Sequence, residues 1–392
     1  MKVDIVGGGY TGISAAIYCK ANKIDFEIYE KSENLGGILC EWVNGDGQEF
    51  ARNCHYLTNN SYIVDYINRD KFAEFKLRYA SYTDLWDEET VQWMSYGPVF
   101  NRKLESYRLK DEAATNLEQR LLKYPKIITD GLFKWLHNVG IENISDLHKN
   151  AAIPLGIERV FIRNNEAIKY KKTCEEANAM YGVPRETSEE IKFLLPKHGF
   201  NKIFEQIRKR FDEEGNKVIR EVYKLKMNER KGNKMVLWTG NPLELLEETK
   251  GLKNKGFYAH NICFCTGHKI KEPIFIQVYS RKTKILRIYL YESKCTIEVS
   301  GRIDREVSDK WISDAIYIAK RCGYEISKVD EVLMKNDIRH NIISKDVWKE
   351  LVELREKSKM KDIIFEQWNE YQREDKVERC ISGIRRCILQ ER

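Results

Sequence analysis

Apolar residues fall in runs of different period along the chain. Lys2-Val3-Asp4-Ile5-Val6 and Asp25 to Tyr29 are short apolar runs, and the helix-forming stretch Ile13 to Ala21 lies between them, after Gly7-Gly8-Gly9-Tyr10-Thr11-Gly12. Strand, glycine turn, helix and strand within about 30 residues make a βαβ unit. Runs that are apolar on both faces fit a parallel sheet covered by helices. From about Asn101 to Glu190 the period changes. Leu104, Leu109, Leu121, Leu122, Leu132, Trp135 and Leu136 recur among charges at three, four and seven positions, which predicts amphipathic helices and a helical insertion.

Strand-like runs return at Val218 to Leu225, Lys234 to Thr239 and Asn261 to Thr266, after a helix from about Gly199 to Phe211. The first sheet is expected to resume there. Ile274 to Tyr279, Ile285 to Tyr291 and Cys295 to Val299 predict a small antiparallel meander. Helices around Ser308 to Cys322 and Lys345 to Glu356, a strand at Ile363 to Phe365 and a helix from about Asp375 to Leu389 close the chain. There is no internal repeat and no Pro/Ser-rich linker, so the domains are expected to interleave. One domain would be assembled from residues 1–75, 196–272 and 359–392, the other from 76–195 and 273–358.

Length and composition narrow the class. The 392 residues suggest two or three domains. An apolar share of 42% beside 32% charged residues places the chain among folded globular proteins rather than disordered ones. The formal charge of +7 is a mild excess that favours an anionic ligand and does not indicate nucleic acid. No stretch approaches the roughly 18 apolar residues of a bilayer span, and the first residues enter the strand at once. The expectation is therefore no membrane span, no signal peptide and the cytoplasm as default compartment. The 10 cysteines are scattered, with no CxxC pair and no zinc-finger partners, and read as reduced thiols. No metal site is evident. Cys263 and Cys265 lie two apart and share one face of a strand.

Gly7, Gly9 and Gly12 fit GxGxxG between strand and helix. The first glycine permits the sharp turn, the second lets backbone approach a pyrophosphate, and the third allows close packing of helix on strand. Glu30 ends the second strand about 20 residues on, where a carboxylate accepts hydrogen bonds from both hydroxyls of an adenosine ribose. A dinucleotide is the ligand that this pattern fits.

Glu30-Lys31-Ser32-Glu33-Asn34-Leu35-Gly36-Gly37 resembles the extended amino-terminal signature of FAD enzymes, in which a Gly-Gly turn lies shortly beyond the ribose acid. Here the chain is similar to the superfamily of amine oxidases, protoporphyrinogen oxidases and UDP-galactopyranose mutases. Leu195-Pro196-Lys197-His198-Gly199-Phe200 and the helix after it resemble that superfamily's Pro-x-x-Gly turn. Gly215 to Leu225 resembles the strand whose backbone, near Val222, meets adenine. Phe257 to Gly267, ending Cys265-Thr266-Gly267, resembles a strand that ends in a small-residue turn. The start of the last helix, Asp375-Lys376-Val377, is similar to the one that faces the flavin.

The resemblance implies an α/β fold, a FAD-binding Rossmann-like domain interleaved with a mixed helical and antiparallel-sheet substrate domain. It implies FAD held by Gly7, Gly9, Tyr10, Thr11, Gly12, Glu30, Lys31, Gly36, Gly37, Ile38, His55, Val222, Thr266, Gly267, Asp375, Lys376 and Val377. It also implies redox catalysis through the flavin on a small polar substrate, amino-bearing or phosphate-linked. The alternatives are mutase-type isomerisation of a nucleotide sugar and a dinucleotide-binding module without turnover.

Cys54-His55-Tyr56-Leu57-Thr58-Asn59-Asn60 resembles the mutase segment that brings a histidine to the flavin, and Tyr371 falls where those enzymes present a tyrosine to the substrate diphosphate. A capped loop and a core aromatic are the structural alternatives for these two. The mutases' Gly-Arg turn reads Glu366-Gln367 here, a second tyrosine reads Arg373, and the position aligned with their substrate arginine reads Glu298. Arg302 and Arg305 lie nearby and are candidates to supply that cation. Tyr79, Tyr82, Trp86, Trp93, Tyr96 and Phe100 either line a substrate pocket or form core. Lys376, Arg379, Arg385 and Arg386 on the last helix either touch phosphates or make a solvated face.

Overall fold

The computed structural model describes residues 2–53, 55–76, 78–85, 89–94, 114–122, 126–157, 192–224, 234–250, 257–301, 308–340, 343–359, 363–365 and 373–390. The chain opens with β1 (Lys2–Val6), α1 (Tyr10–Ala21), β2 (Asp25–Glu30), β3 (Leu57–Thr58), α2 (Tyr62–Ile67), β4 (Phe72–Phe75), β5 (Arg78–Thr83), β6 (Thr90–Met94) and α3 (Lys126–Asn138). Then follow β7 (Phe193–Pro196), α4 (Phe200–Glu213), β8 (Lys217–Arg220), β9 (Lys234–Trp238) and α5 (Pro242–Lys250). The remainder is β10 (Phe257–Tyr279), β11 (Ile285–Ser300), α6 (Asp309–Arg321), β12 (Val329–His340), α7 (Lys345–Lys359), β13 (Ile363–Phe365) and α8 (Arg373–Gln390).

The first sheet is five-stranded and parallel throughout, in the order β8-β2-β1-β9-β13. Successive side chains of a strand point to opposite faces, so β1 feeds two cores at once. Val3 and Ile5 pack with Ile13 of α1, Phe211 of α4 and Ile381 of α8. Val6 packs with Leu246 of α5 and Leu351 and Leu354 of α7 on the opposite face. Asp4 is the polar exception in this buried strand; it accepts the Tyr223 hydroxyl at 3.1 Å and lies 3.9 Å from the Lys234 ammonium. This doubly covered sheet, built from three separated parts of the chain, is the α/β fold that the βαβ pattern predicts.

The second sheet runs β11-β10-β5-β6, with β12 also on β10. It is mostly antiparallel, but β5 joins β10 parallel. Its apolar face, including Ala80, Ile262, Ile276, Ile288 and Ile297, packs on Ala315, Ile318 and Ala319 of α6. A separate core joins Trp135 and Leu136 of α3 to Tyr279 and Leu286, and so seats the helical insertion on this sheet. A small sheet, β3-β7-β4, lies beside them.

Several sequence expectations change. The run Asn261 to Thr266 does not resume the first sheet; it is the start of β10, which belongs to the second sheet through Tyr279. Residues 257–272, expected with the first sheet, belong to the second. The three runs of the expected meander are parts of two long strands, because shifted pairing around Ile270 and a positive φ at Glu292 bend a continuous hairpin without ending it. β12, unread in the sequence, completes that sheet. β8 ends at Arg220, short of the expected Leu225. The stretch expected to open the helical insertion starts with two strands, β5 and β6. Leu104 and Leu109 lie outside the described residues.

Candidate functional site

The glycine turn after β1 is fixed by contacts that no side chain could share. Gly7 adopts φ +103° and its amide donates to Tyr29 O at 2.8 Å. A Cβ on Gly12 would lie 1.9 Å from Gly7 O, so α1 can close on the turn only with glycine there. Gly9 is different: a Cβ there would meet nothing within 4 Å. It caps α1 in an extended conformation with no side-chain hydrogen bond, and the first turn of α1 has no acidic residue. The start of α1 and its positive dipole are therefore accessible to an anion on the side of Gly9.

The Gly-Gly turn docks on this cradle. Gly36 and Gly37 both have positive φ, the Gly36 amide donates to Gly8 O at 2.7 Å, and Gly9 and Gly36 form a parallel bridge. A Cβ on Gly36 would strike Phe204 at 2.2 Å. Glu30, 8% exposed, accepts the Gly8 amide at 2.6 Å on one oxygen and the Ser32 amide at 2.7 Å on the other. The Ser32 hydroxyl donates to that second oxygen as well, so these donors hold the carboxylate toward the turn, and the oxygen that accepts from Gly8 keeps a lone pair for a hydroxyl. Lys31 leans away to Glu244 of α5 at 2.6 Å. The Glu221 amide donates to Glu30 O at 3.1 Å, which brings Val222 to the same edge; Val222 and Ile38 are each 57% exposed. Tyr10 turns its hydroxyl inward to Ser61, and Thr11 follows it in the first turn of α1.

Thr266 and Gly267 do not reach this cradle. They continue β10, where Thr266 pairs with Val329. The small-residue turn against the cradle is Thr239-Gly240, at the end of β9. The Thr239 hydroxyl shares its one proton between Val6 O at 3.0 Å and Gly7 O at 2.9 Å, and the Gly240 amide donates to Val6 O at 3.1 Å. Trp238-Thr239-Gly240 shows the same apolar-Thr-Gly signal in the sequence. The last helix, α8, spans Arg373–Gln390, and the Val377 side chain is 3% exposed in the core. Lys376 precedes it in the first turn of that helix. The Asp375 side chain, Tyr371, Arg302, Arg305, Glu366 and Gln367 lie outside the described side chains and residues. Arg385 packs on α1, donating to the Tyr18 hydroxyl at 3.0 Å, which favours a packing role for part of that basic face.

The turn Gly37–Leu39 leads from the cradle to a cavity of about 800 Å³. Leu39 and His55 line it, together with Arg52, Lys197, His198, Lys202, Tyr289 and Lys294. Glu41 is on the same wall. Its carboxylate accepts the Phe200 and Asn201 amides at 2.7 and 2.8 Å and so caps α4. Burial raises the Glu41 carboxyl above its ordinary range, opposed by those amide bonds. Tyr79 and Tyr82 are core and not pocket; Tyr79 stacks on Phe275 at 5.1 Å. Glu298 does not project into the cavity as a substrate ligand. It is 1% exposed, accepts the Asn53 side chain at 2.9 Å and lies 3.5 Å from the Arg287 guanidinium. No described helix is long and apolar enough to cross a membrane.

The model of an NAD(P)-binding Rossmann-like domain matches residues 5–69. No curated protein matches the chain by sequence. Among solved structures, a reduced UDP-galactopyranose mutase superposes with TM-score 0.63 at 13% identity, over 98% of this chain and 94% of that one. A protein from Exiguobacterium sp. 255-15 assigned as a protoporphyrinogen oxidase gives 0.58 at 14% identity, over 99% of both chains. Cyclohexylamine oxidase from Brevibacterium oxydans IH-35A gives 0.60 at 8% identity, over 100% of this chain and 99% of the other.

Proposed function

We propose, from the premise that this chain has the fold of the FAD-dependent amine-oxidase-like superfamily, that it binds FAD in the glycine cradle and catalyses redox chemistry on a small anionic or phosphate-linked substrate in the adjoining cavity. The observation that carries the reading is the open face of Gly9 between the docked Gly36-Gly37 turn and the Glu30 carboxylate. A pyrophosphate fits the positive helix start there, and Glu30 suits a ribose with two free hydroxyls rather than a 2′-phosphate. Ile38 and Val222 are apolar side chains left exposed on either side of that edge, and bound dinucleotide would cover them.

When bound, FAD supplies a two-electron acceptor and donor. The chain's own contribution is placement and charge. Arg52, Lys197, Lys202 and Lys294 line the cavity with His55 and His198, and Glu41, Glu49 and Glu292 line it with them. Both Glu41 oxygens are committed to the α4 amides, so the balance favours an anionic group.

Mutase-type isomerisation is the second reading. It is favoured by His55, which the mutase-like segment carries and which lines the cavity. The test is purified protein: bound FAD gives a flavin absorption spectrum and releases FAD on heating. Anaerobic bleaching by substrate supports oxidation, and turnover of a nucleotide sugar only after dithionite reduction supports isomerisation. Flavin with neither response points to a silent binder, and protein without any adenine dinucleotide ends the reading.

A further inference from the structure

Strand β11 grips the segment 49–53 with side chains at alternate positions. The Lys294 ammonium donates to Glu49 O at 2.5 Å, the Thr296 hydroxyl donates to Ala51 O at 2.6 Å, and Glu298 accepts the Asn53 side chain at 2.9 Å. The sequence offset is the same for all three, so the segment runs along the strand in fixed register while its backbone stays outside the ladder of the sheet. Period two puts Lys294, Thr296 and Glu298 on one face. The residues between and after them, Cys295, Ile297 and Val299, are fully buried on the other, against α6.

The grip is anchored deeply. Thr296, Glu298 and Asn53 are 5%, 1% and 7% exposed. Glu298 is backed by Arg287, whose other amine donates to Pro154 O at 2.9 Å in the helical insertion. β11 folds back far enough for the Ser300 amide to donate to Lys284 O at 2.9 Å, which closes the strand on itself and makes it a stiff support. Arg52 and His55, on and just beyond the gripped segment, line the cavity.

We propose that Thr296 and Glu298 are positioning residues: the curled strand of the second domain holds segment 49–53 in register and thereby fixes Arg52 and His55 against the cofactor and substrate. The consequence for the cofactor rests on the FAD reading above, but the positioning itself does not.

Thr296→Val removes one hydroxyl donor, Lys294→Met loosens the other end, and Thr296→Ser restores the donor. Expected are wild-type FAD content in all three, about five- to tenfold faster hydrogen exchange at the amides of residues 51–56 in the first two, and a shifted flavin absorption maximum or midpoint potential that Thr296→Ser reverses. Unchanged exchange in both Thr296→Val and Lys294→Met overturns the positioning role, whether or not flavin is present. Faster exchange with an unmoved flavin spectrum and potential overturns its consequence for the site. A colourless wild-type protein fails the FAD reading alone, because the exchange comparison still decides the grip.

Discussion

The carboxylate of Glu30 receives the amide of Gly8 at 2.6 Å, joining the end of β2 to the glycine turn that follows β1. One side chain thus braces the turn and, in the proposed function, presents the acceptor for a ribose. Glu30→Ala removes both roles. Charge-assisted hydrogen bonds contribute about 1.5–3 kcal/mol each, so bound dinucleotide affinity is expected to fall by about tenfold or more. Gly9→Val should do the same by filling the open face, with little effect on folding because that Cβ meets nothing within 4 Å. Adenine nucleotide released per mole of heated protein measures both, and wild-type content in the two variants removes this turn from the site.

Two threonines that look alike in sequence should behave differently. Thr239→Val deletes the single hydroxyl donor that Val6 O and Gly7 O share, and at about 1 kcal/mol it should lower both the melting temperature and cofactor retention. Thr266 bonds only locally, to His268 O, on a strand of the other sheet. Thr266→Val should leave cofactor content unchanged. The reverse pattern in a thermal-shift and nucleotide-release series would restore Cys265-Thr266-Gly267 to the site.

That pair also shows where the sequence stops being legible. The β1, α1, β2 unit and Glu30 could be read because all their signals lie within about 30 residues and each glycine answers to a local steric need. The sheet-facing identity of Cys263 and Cys265 was legible for the same reason, from period two alone. Cys265-Thr266-Gly267 and Trp238-Thr239-Gly240 both follow apolar runs, and only the pairing of β9 with β1 decides which lies against Gly7. The grip of β11 on segment 49–53 is a contact between distant parts of the chain, and neither Thr296 nor Asn53 has a local pattern that announces it.

Glu41 makes the stability of the α4 junction pH-dependent. Its carboxyl is raised above the ordinary value by desolvation, with the Glu49 charge adding to this. Between the ordinary value near ~4.3 and the raised one, the folded chain binds more protons than the unfolded chain, so stability declines as pH rises through that window. Glu41→Gln should flatten that decline, while losing one of the two amide bonds to α4 because the carboxamide has a single acceptor oxygen. Denaturant midpoints from pH 4 to 7 for the two proteins test this, and parallel curves would remove Glu41 as the cause.

His148 provides the opposite slope. Its ring stacks on Trp348 at 4.1 Å and 8°, and its Nδ1 accepts the Asn150 amide at 3.3 Å. Burial, with Lys149 and Arg120 nearby, lowers its pKa from 6.5 to about 4. Between those values the unfolded chain takes up a proton that the folded chain refuses. The neutral ring therefore stabilises the fold above pH 6.5, and this contribution, at most about 3 kcal/mol, is lost as pH falls toward 4. His148→Phe keeps an aromatic partner for Trp348 but cannot titrate, and it leaves the Asn150 amide without that acceptor. The variant should start from a lower melting temperature at pH 7 and lose less of it by pH 4.5. Equal losses in the two proteins over that range would mean that the ring is protonated in the folded chain and that its burial does not govern acid stability.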